Sequence, residues 1–290
     1  MSVTERTGGV FTFPRLATFT AATTLTLVSL GVYTAATGSG LACSAQWPLC
    51  SGGVLPQTVP SFIEWFHRLV AMVAGFLILG VAAWSWRAPE SDRRTAATAT
   101  LAAALLPLQV SIGAVTVTLS GRIPGGYSVP THAAHLFVAL AIFTALTLTS
   151  LRALEGSYTD PAAERARRAL AAAAVVVALA ALFSRVVPLF PYAPSAQATF
   201  VGVGLAGYAS LVAAARWLPD QPLARALSLL AAGAVVVALV LGRDLVVYTA
   251  QVRLLNAAAL AVAVGAAALA AWLVGSAVVT PGPVTSDRTT

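Results

Sequence analysis

Apolar segments of about twenty residues recur along the whole chain, and this pattern excludes a soluble globular fold. Each segment is long enough to cross the hydrocarbon core of a bilayer as an α-helix. Of the 290 residues, 58% are hydrophobic and only 9% are charged, which leaves too few charges for a solvated surface. We therefore predict an all-α, polytopic membrane protein. Its eight spans are expected at roughly 16–36, 62–86, 96–119, 131–151, 169–187, 197–217, 226–242 and 254–275.

The positions of the arginines predict the orientation of these spans. All 17 basic residues are arginines, and most lie before the first span or in every second loop after it. Because positive residues concentrate on the cytoplasmic side, both termini are predicted to be cytoplasmic in a cell membrane, and the loops after spans one, three, five and seven to face outward. The net charge of +7 is dispersed between apolar stretches. The expected surrounding is therefore the lipid bilayer, and no nucleic-acid partner is predicted.

The only two cysteines, Cys43 and Cys50, lie together in the first outward loop. An outward compartment permits disulfides, and a small closed loop restricts the unfolded chain. A disulfide is the favoured interpretation, and two free thiols are the alternative. A zinc site is disfavoured, because six residues separate the cysteines and no histidine lies nearby.

A polar inward segment divides the chain into two sets of four spans. We predict an N-terminal four-helix bundle over 1–151, a cytoplasmic linker over 152–168 and a C-terminal four-helix bundle over 169–290. The fourth and eighth spans align without gaps, with Asn256 opposite His135. The second bundle is therefore predicted to be a degenerate repeat of the first. Chance similarity between alanine- and valine-rich helices is the alternative.

Two of the three histidines, His67 and His135, occupy matching depths on the second and fourth spans. An imidazole inside a membrane is costly and usually serves a purpose. Two imidazoles that face each other are what a haem iron requires on its two axial sides. We therefore predict that this pair ligates one haem iron. His132, one turn nearer the surface, is the alternative ligand or a hydrogen-bond partner of a haem propionate.

Glu64 lies three residues before His67, on the same face of the second span. Three roles are open: a capping box with Ser61, an ion pair with Arg68, or a carboxylate that orients the imidazole or transfers a proton. Arg68, and Arg122 in the loop after the third span, are predicted to anchor acidic propionates, because arginine pairs with carboxylates in a bidentate way.

Four ordered motifs resemble the haem A synthases, membrane enzymes that assist cytochrome oxidase assembly. The resemblance covers about residues 15–150, and over 169–275 it rests only on the number of spans and the weak repeat. The motifs are TGSGLACSAQWPLC at 37–50, EWFHR at 64–68, LQVSIGAVTV at 108–117, and His135 followed by Leu136.

The resemblance implies an eight-helix enzyme of two four-helix bundles. The N-terminal bundle would bind the substrate haem O through His67 and His135, and a ring methyl group would be oxidised through an alcohol to the formyl group of haem A. The resemblance also implies a catalytic role for Glu64 and a disulfide between Cys43 and Cys50. The implied partners are the enzyme that supplies haem O, an unidentified electron donor and components of cytochrome oxidase assembly; a homo-oligomer stays open.

The sequence departs from this pattern in its second half. Two-bundle members typically carry a second histidine pair that holds a haem b, but no histidine follows His135 here. Asn256 and Thr199, which align with the first-half ligands, are poor substitutes, so we predict one haem. The main alternative function is a haem-binding membrane protein without catalysis, such as a carrier, an assembly chaperone or an electron conduit. A transporter ranks last, because the second half has few deep polar groups.

Overall fold

The part of the chain that the structure describes folds into eight long α-helices. The computed structural model describes residues 12–43, 46, 50, 53, 55–120, 128–187, 189–243 and 245–279. The predicted all-α class is confirmed. The helices are α1 Phe13–Ala36, α2 Val59–Ser85, α3 Arg93–Ser120, α4 Val129–Ala153, α5 Ala162–Ala181, α6 Pro194–Trp217, α7 Pro222–Leu241 and α8 Ala250–Val279.

Seven of these helices, all except α5, are long and apolar enough to cross a membrane. The chain is therefore a multi-pass membrane protein. Helix α5 begins with a charged stretch that includes Glu164 and Arg168, and it ends at Ala181 rather than at the predicted 187. The predicted end is wrong because Ser184 forms a turn. Its hydroxyl donates to Ala181 O (2.7 Å) and accepts the Val186 N–H (3.2 Å), and these bonds replace those of a continuing helix.

Proline and side-chain caps fix several helix starts. Helices α1, α2, α4, α6 and α7 each carry proline in their first two positions, where no intrahelical N–H is needed. Thr58 caps α2, because its hydroxyl oxygen accepts the Ser61 N–H at 3.3 Å. The predicted capping box of Ser61 and Glu64 is therefore wrong, since α2 begins at Val59, before Ser61.

The end of α1 shows where a glycine is required. The helix stops at Ala36, and Gly38 follows with a φ angle of +69°, in the left-handed region. Residues with a Cβ atom rarely adopt this conformation. Gly38 therefore turns the chain out of α1 and into the loop that carries Cys43.

The helices pack in two rings. Helices α1 to α4 form one ring, in which each helix contacts the next and α4 returns to α1; α5 to α8 form the other in the same way. Helix α6 joins the rings by packing against α1 and α4. This arrangement agrees with two four-helix bundles. The predicted domain boundaries and the internal repeat stay predictions.

The two rings differ in how much their helices cover one another. In the second ring, a Cβ atom added at Gly204, Gly207 or Gly242 would lie 2.5–2.7 Å from a side chain of a neighbouring helix. In the first ring, Glu64 is the only buried residue between Phe62 and Val73, and none is buried from Ala103 to Thr118. These parts of α2 and α3 are therefore less covered by neighbouring helices than the second ring is.

Candidate functional site

The structure places His67 and His135 in the same ring of helices. His67 lies two turns into α2, and His135 lies near the start of α4. The part of the first ring that holds the two imidazoles is the candidate functional site.

Each imidazole packs against a glycine of the preceding helix. A Cβ atom built on Gly31 of α1 would lie 3.1 Å from Cε1 of His67, and one built on Gly113 of α3 would lie 3.1 Å from Cε1 of His135. A larger side chain at either position would press on the ring. The sequence analysis missed Gly31, because a single glycine in an apolar helix carries no distinctive spacing, whereas Gly113 lies in the motif at 108–117.

The histidine ring nitrogens retain unused bonding capacity. The Nδ1 atoms of His67 and His135 are buried, and neither has a hydrogen-bond partner among the described residues. His135 Nε2 lies 3.2 Å from the side-chain nitrogen of Gln109 on α3. Since iron needs only one nitrogen of an imidazole, both rings are chemically able to ligate a haem iron.

Glu64 connects α2 to the loop before it. The carboxylate is buried, its Oε2 accepts the Cys43 N–H at 2.6 Å, and its Oε1 pairs with Arg68. Arg68 also donates to Gln46 O at 2.5 Å. The predicted ion pair is therefore confirmed. Within the described part of the chain, the Glu64 carboxylate accepts hydrogen bonds from Cys43 and Arg68 and from no atom of His67.

A disulfide joins Cys43 to Cys50, which confirms that prediction. Cys43 Sγ lies 3.4 Å from Ser61 O, so the bridge packs against the first turn of α2. Through the Cys43 N–H, the bridged loop also reaches the Glu64 carboxylate. Among the described residues, no group of three or more His, Cys, Asp or Glu side chains could hold a bare metal ion. A haem needs fewer protein ligands, because the porphyrin supplies four nitrogen ligands to the iron.

The remaining predicted site residues have different positions. His132 is half-buried, and its Nδ1 lies 2.9 Å from Ser128 O in the same helix. Arg122 lies outside the described residues. Arg243, which the sequence analysis did not select, is buried after α7.

The corresponding place in the second ring does not fit a haem. Asn256, aligned with His135, is fully buried, and neither of its amide atoms has a hydrogen-bond partner among the described residues. An amide is a poor iron ligand, and Phe200 packs closely against the backbone at Gly242. The aligned position in the second ring therefore offers an iron no histidine.

The fold defines the class as a polytopic helical membrane protein, with His67 and His135 in its first ring. The family model COX15-CtaA, described as cytochrome oxidase assembly protein, matches residues 14–186. The chain therefore belongs to this family.

Similar proteins extend the comparison. The heme A synthase of Bacillus licheniformis is 35% identical over 126 residues, 43% of this chain and 40% of that protein. The heme A synthase of Geobacillus kaustophilus is 35% identical over 150 residues, 50% and 45% of the two chains. A protoheme IX farnesyltransferase of Halobacterium salinarum is 35% identical over 140 residues, 48% of this chain and 30% of that one. The chain thus spans less than half the length of the curated relatives it matches.

Proposed function

We propose that this chain is a haem A synthase that oxidises a ring methyl group of haem O to a formyl group for cytochrome oxidase assembly. The observation that carries the proposal is the pair His67 and His135, two imidazoles in the first ring that each pack against a glycine of a neighbouring helix. Family membership and similarity to proteins named heme A synthase support it.

In this proposal His67 and His135 hold the substrate haem from its two faces. When bound, the haem supplies the methyl group that is oxidised. The conversion follows a monooxygenase balance in two rounds. Each round consumes one dioxygen, two electrons from an external donor and two protons. One oxygen atom is inserted into a C–H bond, and the other is released as water. Loss of water from the twice-hydroxylated carbon leaves the formyl group.

Glu64 is the proposed catalytic residue. Its carboxylate is buried one turn before His67, and it is held by the Cys43 N–H and Arg68. A fixed negative charge beside the site stabilises positive charge that develops during oxidation. Arg68 and Arg122 would hold the haem propionates. His132 would form a hydrogen bond to a propionate.

The second ring is proposed to serve as a scaffold that binds no haem b. Its aligned position holds Asn256 in place of a histidine, and its helices pack closely. We also propose that the linker between the two bundles covers residues 152–168. Both termini are proposed to be cytoplasmic, and the loop with the cysteines to face outward. The haem O supplier, an external electron donor and cytochrome oxidase assembly components are its partners.

The competing function is a haem-binding protein without catalysis, which two histidine ligands would also fit. Glu64 distinguishes the two, because a carrier or electron conduit needs no buried carboxylate beside the ligand. The test is co-expression with an enzyme that makes haem O, followed by mass analysis of extracted haems. We expect haem A or its alcohol precursor from the wild type and at least tenfold less from Glu64→Gln, within the range for acid–base and electrostatic groups.

The matched control is Glu90→Gln, because Glu90 is exposed in the loop between α2 and α3. This variant should form the product at the wild-type level. Recovery of bound haem O alone from the wild type would contradict synthase activity and favour the carrier. Full product from Glu64→Gln would remove Glu64 from the mechanism.

A further inference from the structure

We propose that Gly31 and Gly113 are positioning residues that set the planes of the two iron-binding imidazoles. The inference rests on the proposed function, because it concerns the haem ligands of the same site. Helices α1 and α3 supply no iron ligand in that proposal. Their role would be to hold the ligands that α2 and α4 supply.

The two contacts have the same geometry. From a Cβ atom built on Gly31, the His67 ring atoms lie at 3.1 Å (Cε1), 3.7 Å (Nε2) and 3.8 Å (Nδ1). From one built on Gly113, the His135 ring atoms lie at 3.1 Å (Cε1), 3.7 Å (Nδ1) and 3.9 Å (Nε2). In both cases Cε1 is nearest and the two nitrogens are almost equidistant. Each imidazole therefore turns its Cε1 side toward a glycine. The same contact occurs between α1 and α2 and again between α3 and α4.

In both histidines, packing against a glycine would take the place of the hydrogen bond that usually orients a metal-bound imidazole. The orientation of a metal-bound histidine is usually fixed by a bond from its second nitrogen to a carbonyl or carboxylate. Neither His67 nor His135 has such a partner for Nδ1 among the described residues. The glycine backbone is then what limits rotation of each ring. Gln109, one turn before Gly113 on α3, adds a polar contact to His135 alone.

Other glycines of the same ring provide matched controls. Gly75 and Gly80 lie within α2, and a Cβ atom at either would have no neighbour within 4 Å. Alanine at these two positions tests the general effect of replacing a helical glycine. Alanine at Gly31 or Gly113 adds a methyl group 3.1 Å from an imidazole carbon, closer than the usual 3.5–4.0 Å contact. The ring must then rotate or move by several tenths of an ångström.

The test compares Gly31→Ala and Gly113→Ala with Gly75→Ala and Gly80→Ala in the full chain, purified with haem. The readouts are the electron paramagnetic resonance spectrum of the ferric haem, haem retained per chain and thermal unfolding of the haem-free protein. We expect shifted resonance positions and about tenfold weaker haem retention in Gly31→Ala and Gly113→Ala only. A loss of this size is typical when a group that orients a metal-bound histidine is changed. Haem-free unfolding should match the controls.

Failure of this inference can be told from failure of the proposed function. If the wild type binds haem through the two histidines but the Gly31 and Gly113 variants match the controls, the inference is wrong. It is also wrong if those variants fail to accumulate or unfold at lower temperature without haem, because the glycines would then serve helix packing. If haem stays bound after both His67→Ala and His135→Ala, the proposed function itself fails.

Discussion

Of the roles that the sequence analysis left open for Glu64, the structure shows the ion pair with Arg68, and it adds a bond from the Cys43 N–H. The EWFHR spacing predicted the pairing of Glu64 with Arg68, because residues four apart share a helix face. The bond from the Cys43 N–H could not be predicted, since it depends on how the loop after α1 folds back onto α2. Contacts within one helix follow from spacing, whereas contacts between a loop and a helix require the tertiary structure.

The choice between His132 and His135 can be tested at the residue scale. His132 Nδ1 is already placed against Ser128 O, whereas His135 Nδ1 has no partner among the described residues and its ring faces α3. We expect His135→Ala to lose the low-spin haem spectrum and His132→Ala to keep it with full haem content. Optical and electron paramagnetic resonance spectra of the two purified variants make the comparison. Loss of the spectrum in His132→Ala alone would reverse the assignment.

Removal of the disulfide should affect both stability and activity. The bridge closes a loop with a sequence separation of 7, which corresponds to roughly 2–3 kcal/mol of loop-closure entropy. We expect Cys43→Ser/Cys50→Ser to unfold at lower temperature in detergent and to form less haem A, since Cys43 also donates to Glu64. Wild type treated with a thiol reductant should behave in the same way. Unchanged thermal unfolding in both samples would contradict a structural role for the bridge.

At the scale of elements, the two rings differ in how their loops and interiors are stabilised. In the first, the disulfide and the Glu64–Arg68 pair hold the loop before α2. In the second, the Arg185 guanidinium stacks between the Tyr192 and Tyr248 rings, with centroid distances of 4.1 and 4.4 Å. The second arrangement is an internal packing cluster, which agrees with a structural role for α5 to α8.

The second ring contains one polar side chain whose replacement should stabilise it. Neither amide atom of Asn256 has a partner among the described residues, and an unpaired buried polar group costs about 1–3 kcal/mol. We expect Asn256→Leu, of similar shape, to raise the thermal unfolding temperature without changing haem content. Ser228→Ala is the control, because the Ser228 hydroxyl donates to Ala224 O and its removal should bring no gain. A less stable Asn256→Leu would indicate that the amide binds a partner.

Helix existence could be predicted from sequence more reliably than helix ends. Seven predicted spans differ from the observed helices by at most four residues at either end, because long apolar stretches in a membrane protein have few alternatives to a helix. The fifth span did not fit, since Ser184 forms a turn where apolar residues continue. Capping of α2 by Thr58 also escaped prediction, because Thr58 and Ser61 are both suitable caps.

At the scale of the whole molecule, the helical membrane class could be predicted from sequence, but the surroundings of the two histidines could not. Their pairing on one iron stays a prediction that rests on their equal depth on α2 and α4. The glycine contacts on α1 and α3, the buried Arg243 and the contrast in packing between the rings depend on how eight helices are placed together. A single sequence of alanine- and valine-rich helices contains little information on that placement.

The central claim is that one haem is held between His67 and His135 and none in the second ring. An experimental density map of the haem-loaded protein, with anomalous data at the iron absorption edge, tests it most directly. We predict a single iron peak per chain, bonded to both imidazoles of the first ring. A peak among α5 to α8, or an iron bonded to neither His67 nor His135, would contradict the account.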